Sequence, residues 1–83
     1  MTTVFISGHR DLTRAEFDLH YLPRLRQAVE QGCDFVVGDA PGCDALAQAY
    51  LRACGSQSVI VYYRGRWPRN NIGRWPTRGV DAS

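Results

Sequence analysis

The chain has 83 residues, of which 45% are hydrophobic and 22% are charged, and this composition is typical of one small globular domain. No apolar run approaches the roughly 20 residues that a membrane-spanning helix needs, so we expect no membrane partner. All ten basic residues are arginine, which excludes Schiff-base enzymes and P-loop proteins, and the excess of arginine after residue 44 favours an anionic partner.

The first part of the chain has a strand pattern followed by a helix pattern. Residues 3–7 form a short run of β-branched and apolar residues, which predicts a buried strand. Thr13 and Glu16 fit a capping box, which predicts the start of a helix. Pro23 interrupts the apolar stripe of that helix and predicts a kink or two short helices, and Gly32 ends the pattern.

Two further strand patterns flank another helix pattern. Residues 34–38 predict the second strand, a helix opens at Pro41 or Gly42 and ends at Gly55, and residues 58–63 predict the third strand. This β-α-β-α-β order favours a parallel sheet with right-handed crossovers. We expect an α/β fold, a Rossmann-like three-layer sandwich with a small parallel sheet in strand order 2-1-3. Ligands of such sheets bind where the strand order reverses.

The remaining residues have a different character. Residues 64–83 are rich in arginine, tryptophan and proline, have no regular period, and repeat Arg-Trp-Pro at 66–68 and 74–76. We therefore divide the chain into a nucleotide-binding core, residues 1–63, and an irregular tail, residues 64–83. The tail is interpreted as a lid over the site or a protein interface, and its tryptophans and arginines also suit single-stranded nucleic acid.

The turn after the first strand is one candidate ligand site. A glycine there lets the main chain approach a ligand closely, and the following helix start favours an anion. Arg10 is interpreted as a phosphate ligand or a solvated arginine, and His9 as an acid or base or a hydrogen-bonded loop histidine. The candidate residues of this turn are Ser7, Gly8, His9 and Arg10.

The turn after the second strand carries a stronger signal, because two glycines and a proline lie between a strand and a helix. Bare amides at the helix start and the helix dipole attract an anion. Asp44 either stabilises the helix end or holds ribose hydroxyls, as the acidic residue of a dinucleotide site does. The candidate ligand-binding residues are Gly38, Asp39, Ala40, Gly42 and Asp44, and the candidate catalytic residues are Asp39 and Asp44.

The cysteines indicate a reducing compartment. Cys33, Cys43 and Cys54 are an odd number without C-x-x-C spacing, which argues against a disulfide framework and against a zinc site. The amino terminus has no basic region and no cleavage site of a signal peptide. We therefore expect a cytoplasmic protein with reduced thiols, no metal and no cofactor.

Two segments of the chain resemble the SLOG superfamily, which joins the DNA-processing DprA (Smf) proteins, the cytokinin-activating LOG proteins and the YspA-like proteins. The early S-G-x-R element is matched at Ser7, Gly8 and Arg10, and the G-x-A-x-G-x-D pattern at Gly38, Ala40, Gly42 and Asp44. The resemblance covers about Thr2 to Thr77. It implies a Rossmann-like fold, oligomerisation, and a site for nucleotides or their derivatives.

The chain also departs from this superfamily. It lacks the P-G-G-x-G-T-x-x-E motif of the LOG enzymes, so their hydrolase activity is not carried over. Related domains continue through at least one more helix and strand, which leads us to expect a homo-oligomer or a partner that completes the fold.

Three functions agree with these patterns. The first is a binding module that holds a nucleotide or a nucleotide-derived ligand at the two glycine-rich turns. The second is a phosphoribohydrolase-like enzyme that cleaves the N-glycosidic bond of a nucleotide, with Asp39 or Asp44 orienting the ribose or stabilising positive charge on it. The third is a protein that binds single-stranded nucleic acid through the tail. The sequence leaves open whether any reaction is catalysed.

Overall fold

The computed structural model describes residues 2–8 and 10–80 and contains four strands and three helices. In chain order they are β1 (Thr3–Ile6), α1 (Arg14–His20), α2 (Leu22–Glu30), β2 (Asp34–Gly38), α3 (Cys43–Ala53), β3 (Val59–Tyr63) and β4 (Thr77–Gly79). The predicted order of strands and helices is confirmed as far as β3, and β4 is an addition. None of these helices has the length and apolar character required to span a bilayer.

The boundaries of the first two helices follow from local chemistry. The Thr13 hydroxyl accepts a hydrogen bond from the Glu16 amide at 3.1 Å, and the Thr13 amide donates to the Glu16 carboxylate at 3.2 Å. These two bonds form the predicted capping box. Pro23 lies in the first turn of α2, where a missing amide hydrogen costs no helical bond. The predicted division into two short helices is therefore confirmed.

The strand order corrects the sequence-based expectation. All four strands are parallel and lie in the order β1-β2-β3-β4, so the predicted order 2-1-3 is wrong. Each crossover steps the chain in the same direction across the sheet. The strand order therefore has no reversal, and the sheet has no switch point. Right-handed crossovers that step in one direction also place their helices on the same face of the sheet.

The expected three-layer sandwich is wrong for the same reason. The helices cover one face of the sheet, and their apolar stripes share one core with the strands, which makes a two-layer α/β structure. The buried apolar residues of this core are Ile6, Phe17, Leu25, Ala28, Phe35, Val37, Cys43, Ala47, Leu51, Val59, Val61 and Trp75.

The other face of the sheet carries a row of apolar side chains. Phe5 is in register with Val36, and Val36 with Ile60, so the three residues stand side by side on the face that the helices leave uncovered. Phe5 is 76% exposed, whereas Val36 and Ile60 are partly buried. The exposure of this row therefore increases towards β1.

The carboxyl-terminal segment is less irregular than predicted. It adds β4 to the sheet, where the Val61 amide donates to the Pro76 carbonyl at 2.9 Å. Trp75 is 8% exposed within the core, and its indole nitrogen donates to the Ser56 carbonyl at 2.9 Å. Trp67, in the other Arg-Trp-Pro copy, is 70% exposed. The prediction of an irregular tail is confirmed for residues 64–76, which contain no helix or strand, and is wrong for residues 77–79, which form β4; its last residues, 81–83, lie outside the described residues.

Candidate functional site

The two glycine-rich turns meet at the carboxyl ends of the strands. They are neighbours because β1 pairs directly with β2. A Cβ atom on Gly8 would lie 2.6 Å from both the Cβ and the Sγ atoms of Cys43, so only glycine fits where the first turn passes the start of α3. His9 lies outside the described residues, and Arg10 is exposed. The structure therefore brings the two predicted turns together without a switch point in the sheet.

The turn between β2 and α3 is built around a glycine in an unusual conformation. Gly42 is the N-cap of α3 with φ of +81° and ψ of −126°, which residues with a Cβ rarely adopt. Its carbonyl accepts the Leu46 amide at 3.0 Å and starts the helix. A Cβ atom on Gly38 would collide with the carboxylate of Asp44. Both glycines are thus required by the shape of the turn itself.

Asp39 forms an ion pair with Arg69. It is 4% exposed, and its Oδ2 atom accepts the Arg69 amide at 2.9 Å while Oδ1 accepts the Arg69 guanidinium at 3.0 Å. Burial acts to raise the pKa of Asp39, but the hydrogen bonds and the charge of Arg69 outweigh burial and hold that pKa below its usual value. Asp39 therefore anchors the segment that contains Arg69.

Gln48 holds the same segment from the helix side. This side chain is fully buried on α3, and its amide nitrogen donates to the Gly38 carbonyl at 2.8 Å. Its oxygen accepts the Ile72 amide at 2.9 Å, and the Asn70 side chain donates to the Asp39 carbonyl at 2.8 Å. We call the set Asp39, Gln48, Arg69 and Asn70 the latch, because it fixes residues 69–72 over the end of β2.

Asp44 is buried like Asp39 but is only half satisfied. It is 5% exposed, and its Oδ2 atom accepts the Ala40 amide at 3.2 Å. Its Oδ1 atom is buried and has no hydrogen-bond partner among the described residues. Burial raises the pKa of Asp44, the Ala40 hydrogen bond opposes that rise, and the charge of Asp39 adds to it. The site therefore contains one carboxylate oxygen with unused capacity to accept a hydrogen bond.

The Cys43 thiol and the Tyr62 hydroxyl, which adjoin Asp44, are neutral near pH 7. Burial and the charge of Asp44 both raise the pKa of the Cys43 thiol, so this thiol is a poor nucleophile. Burial and the same carboxylate raise the pKa of Tyr62, and a hydrogen bond with Ser7 opposes that rise. Within residues 2–8 and 10–80, no cluster of three histidine, cysteine or acidic side chains is placed to hold a metal ion.

Sequence reasoning located the turns but missed their partners. Tyr62, the penultimate residue of β3, lies beside Asp44 and was not singled out. The latch residues Gln48, Arg69 and Asn70 were not singled out either. Gln48 carried a signal, since it falls one turn after Asp44 on a helix whose neighbouring positions are alanine and leucine. Arg69 and Asn70 carried none, because their contacts to Asp39 span about thirty positions of the chain.

The comparisons with known proteins leave the family open. No protein-family model, curated protein or solved structure matches this chain.

Proposed function

We propose that the chain is a binding module for a nucleotide or a nucleotide-derived ligand, held at the carboxyl ends of β1 and β2. The observation that carries the proposal is the buried Oδ1 atom of Asp44, which has no donor among the described residues. In this proposal Asp44 accepts a hydrogen bond from a hydroxyl group of the ligand's sugar. The same proposal includes a Rossmann-like fold, membership of the SLOG superfamily that the chain resembles, and a cytoplasmic location.

The unsatisfied oxygen gives a ligand a source of free energy. A buried acceptor without a donor costs about 1–3 kcal/mol, and a ligand hydroxyl that reaches it recovers this cost. Since Oδ1 is closed off from solvent, this proposal requires the surrounding groups to move before the ligand reaches it. A sugar hydroxyl suits the site better than a phosphate there, because a phosphate and an ionised Asp44 repel each other.

The anionic part of the ligand has separate partners. The first-turn amides of α3, from Cys43 to Ala45, have no carbonyl partner inside the helix and favour an anion. Arg10 follows β1 and Arg64 follows β3, and both are exposed at this end of the sheet. Arg69 is excluded from this role as long as it holds Asp39. The proposed ligand therefore spans Asp44 and the amino end of α3.

The two alternative functions have weaker support. For a phosphoribohydrolase-like reaction, Asp39 is held by Arg69, which leaves Asp44 as the acidic group available. For single-stranded nucleic acid, Trp75 lies in the core, so Trp67 is the one of the two tail tryptophans that offers an exposed ring for stacking. Neither alternative explains the unsatisfied Asp44 oxygen as directly as ligand binding does.

The experiment is a binding titration of ribonucleotides and their 2′-deoxy counterparts against the full chain, by native mass spectrometry and calorimetry. We expect a ribonucleotide to bind about tenfold more weakly to Asp44→Asn, because the amide is a poorer acceptor of a hydroxyl. We also expect the preference for ribose over deoxyribose to shrink in that variant. Asp34→Asn, at the opposite end of β2, is the matched control and retains wild-type affinity. Absence of any nucleotide complex, or equal affinities of wild type and Asp44→Asn, would contradict the proposal.

A further inference from the structure

The two edges of the sheet differ in their protection against pairing with another strand. The edge strand β4 has three residues, includes Arg78, and lies directly after Pro76, which are features that discourage strand addition. The edge strand β1 reads Thr-Val-Phe-Ile, without charge or proline, and its Phe5 side chain is 76% exposed. Among residues 2–8 and 10–80, no strand pairs with the outer edge of β1.

The register identifies which main-chain groups face outward from β1. The Asp34 amide donates to the Thr2 carbonyl at 3.0 Å, so even-numbered residues of β1 direct their main-chain groups towards β2. In a parallel pair these directions alternate along the strand. The amides and carbonyls of Thr3 and Phe5 therefore point away from the sheet, and those of Ser7 continue the series. This edge offers donors and acceptors at regular spacing on both sides of Phe5.

We propose that two copies of this chain pair through β1 in antiparallel orientation, with a two-fold axis beside Phe5. Phe5 then exchanges two hydrogen bonds with the partner's Phe5, and Thr3 lies opposite the partner's Ser7. The edge is self-complementary because its outward groups are arranged symmetrically about Phe5. The two sheets become one sheet of eight strands, and neither β1 edge remains open.

The side chains favour a second copy as the occupant of this edge. The apolar row of Phe5, Val36 and Ile60 continues into the same row of the partner, and the two exposed phenylalanine rings cover each other. On the helix side, a groove of about 340 Å³ lined by Val4, Phe17 and further apolar residues opens along β1. Pairing of two edges brings both grooves to the axis and shields them from water. This inference does not depend on the proposed ligand.

The first test is the mass of the full chain in solution, measured by light scattering and sedimentation over a range of concentrations. We expect a dimer that Phe5→Lys weakens about 100-fold, because it places two like charges against each other at the axis. Phe5→Pro removes the outward amide and keeps every bond to β2, so it also yields monomers. Trp67→Lys is the control for non-specific association through an exposed apolar side chain, and it remains dimeric. Circular dichroism checks that each variant is folded.

The second test fixes the register by cross-linking in a Cys54→Ser background. Opposed residues of an antiparallel hydrogen-bonded pair have Cα atoms about 5.5 Å apart, within reach of a disulfide. Phe5→Cys is therefore expected to cross-link under mild oxidation. Thr3→Cys is not, because its two copies lie about 13 Å apart along the strands. A monomeric wild type, a dimer that survives Phe5→Lys and Phe5→Pro, or cross-linking through position 3 would overturn the proposal.

Discussion

Asp39, in the turn between β2 and α3, and Asp44, in the first turn of α3, are buried to nearly the same extent, yet their surroundings are opposite. Both oxygens of Asp39 accept hydrogen bonds from Arg69, and its pKa is lowered. One oxygen of Asp44 has no partner among the described residues, and its pKa is raised. Burial alone therefore does not assign a role to a carboxylate. The paired one holds the fold together, and the unpaired one retains the capacity to bind.

The largest expected effect comes from removing the anchor that holds the carboxyl-terminal segment, and with it the latch, against the core. Trp75→Ala empties a buried site and loses the hydrogen bond to the Ser56 carbonyl, so it should lower the free energy of unfolding by about 3–5 kcal/mol. Trp67→Ala, in the other Arg-Trp-Pro copy, should change it by less than about 0.5 kcal/mol. Urea denaturation measures both values, and equal losses would contradict the buried position of Trp75 and the exposed position of Trp67.

The next effect concerns Gln48 within the latch. Gln48→Leu introduces an apolar side chain of similar size and leaves the Gly38 carbonyl and the Ile72 amide without their partner. We expect a loss of about 1–3 kcal/mol for these buried groups, again by urea denaturation. Gln27→Leu, on the exposed side of α2, is the control and should be nearly neutral. A neutral Gln48→Leu would show that the latch does not contribute to stability.

The smallest expected changes in stability come from the two carboxylates, and they should differ in sign. Asp39→Asn weakens the Arg69 contacts and should destabilise the fold at pH 7 by about 1 kcal/mol. Asp44→Asn removes a buried charge, keeps an oxygen for the Ala40 amide, and should leave stability unchanged or raised. Thermal unfolding of both variants at pH 7 measures the difference. Destabilisation of the same size by both would remove the distinction.

The pH dependence follows from the direction of each shift. Asp39 has a lowered pKa in the folded state, so its contribution is present above pH 3.8 and is lost as the pH falls through the lowered value. Asp44 has a raised pKa, so the unfolded chain releases this proton first, and its contribution falls as the pH rises above 3.8. Asp44→Asn should therefore gain stability on the wild type as the pH rises above 3.8. The deficit of Asp39→Asn should be constant above pH 3.8 and should shrink as the pH falls below 3.8.

Local chemistry accounts for the parts of the fold that the sequence predicted. The capping residues Thr13 and Glu16, the break at Pro23 and the glycine at the start of α3 act over a few positions, and each has the predicted effect. The two glycine-rich turns were also located correctly, because strands that run parallel end at the same edge. Periodicity and turn residues thus determine the elements and the position of the candidate site.

The features that the sequence did not predict depend on distant contacts. The strand order depends on the direction of each crossover, which no local pattern records. The two Arg-Trp-Pro copies are identical as sequence, and only packing beside Gly73 and Ser56 distinguishes Trp75 from Trp67. The pairing of Asp39 with Arg69 likewise has no local signal. Sequence reasoning therefore named both Asp39 and Asp44 as catalytic candidates, and the structure distinguishes them.

The most direct measurement is a carbon-detected nuclear magnetic resonance titration of the Asp39 and Asp44 carboxyl groups, without and with a saturating ribonucleotide. We expect Asp39 to titrate below 3.8 in both states. Asp44 should titrate above 3.8 in the free protein and at lower pH in the complex, because a donated hydrogen bond favours the carboxylate. An Asp44 that titrates below 3.8 in the free protein, or that does not respond to the ribonucleotide, would contradict the assignment of its open oxygen to a ligand.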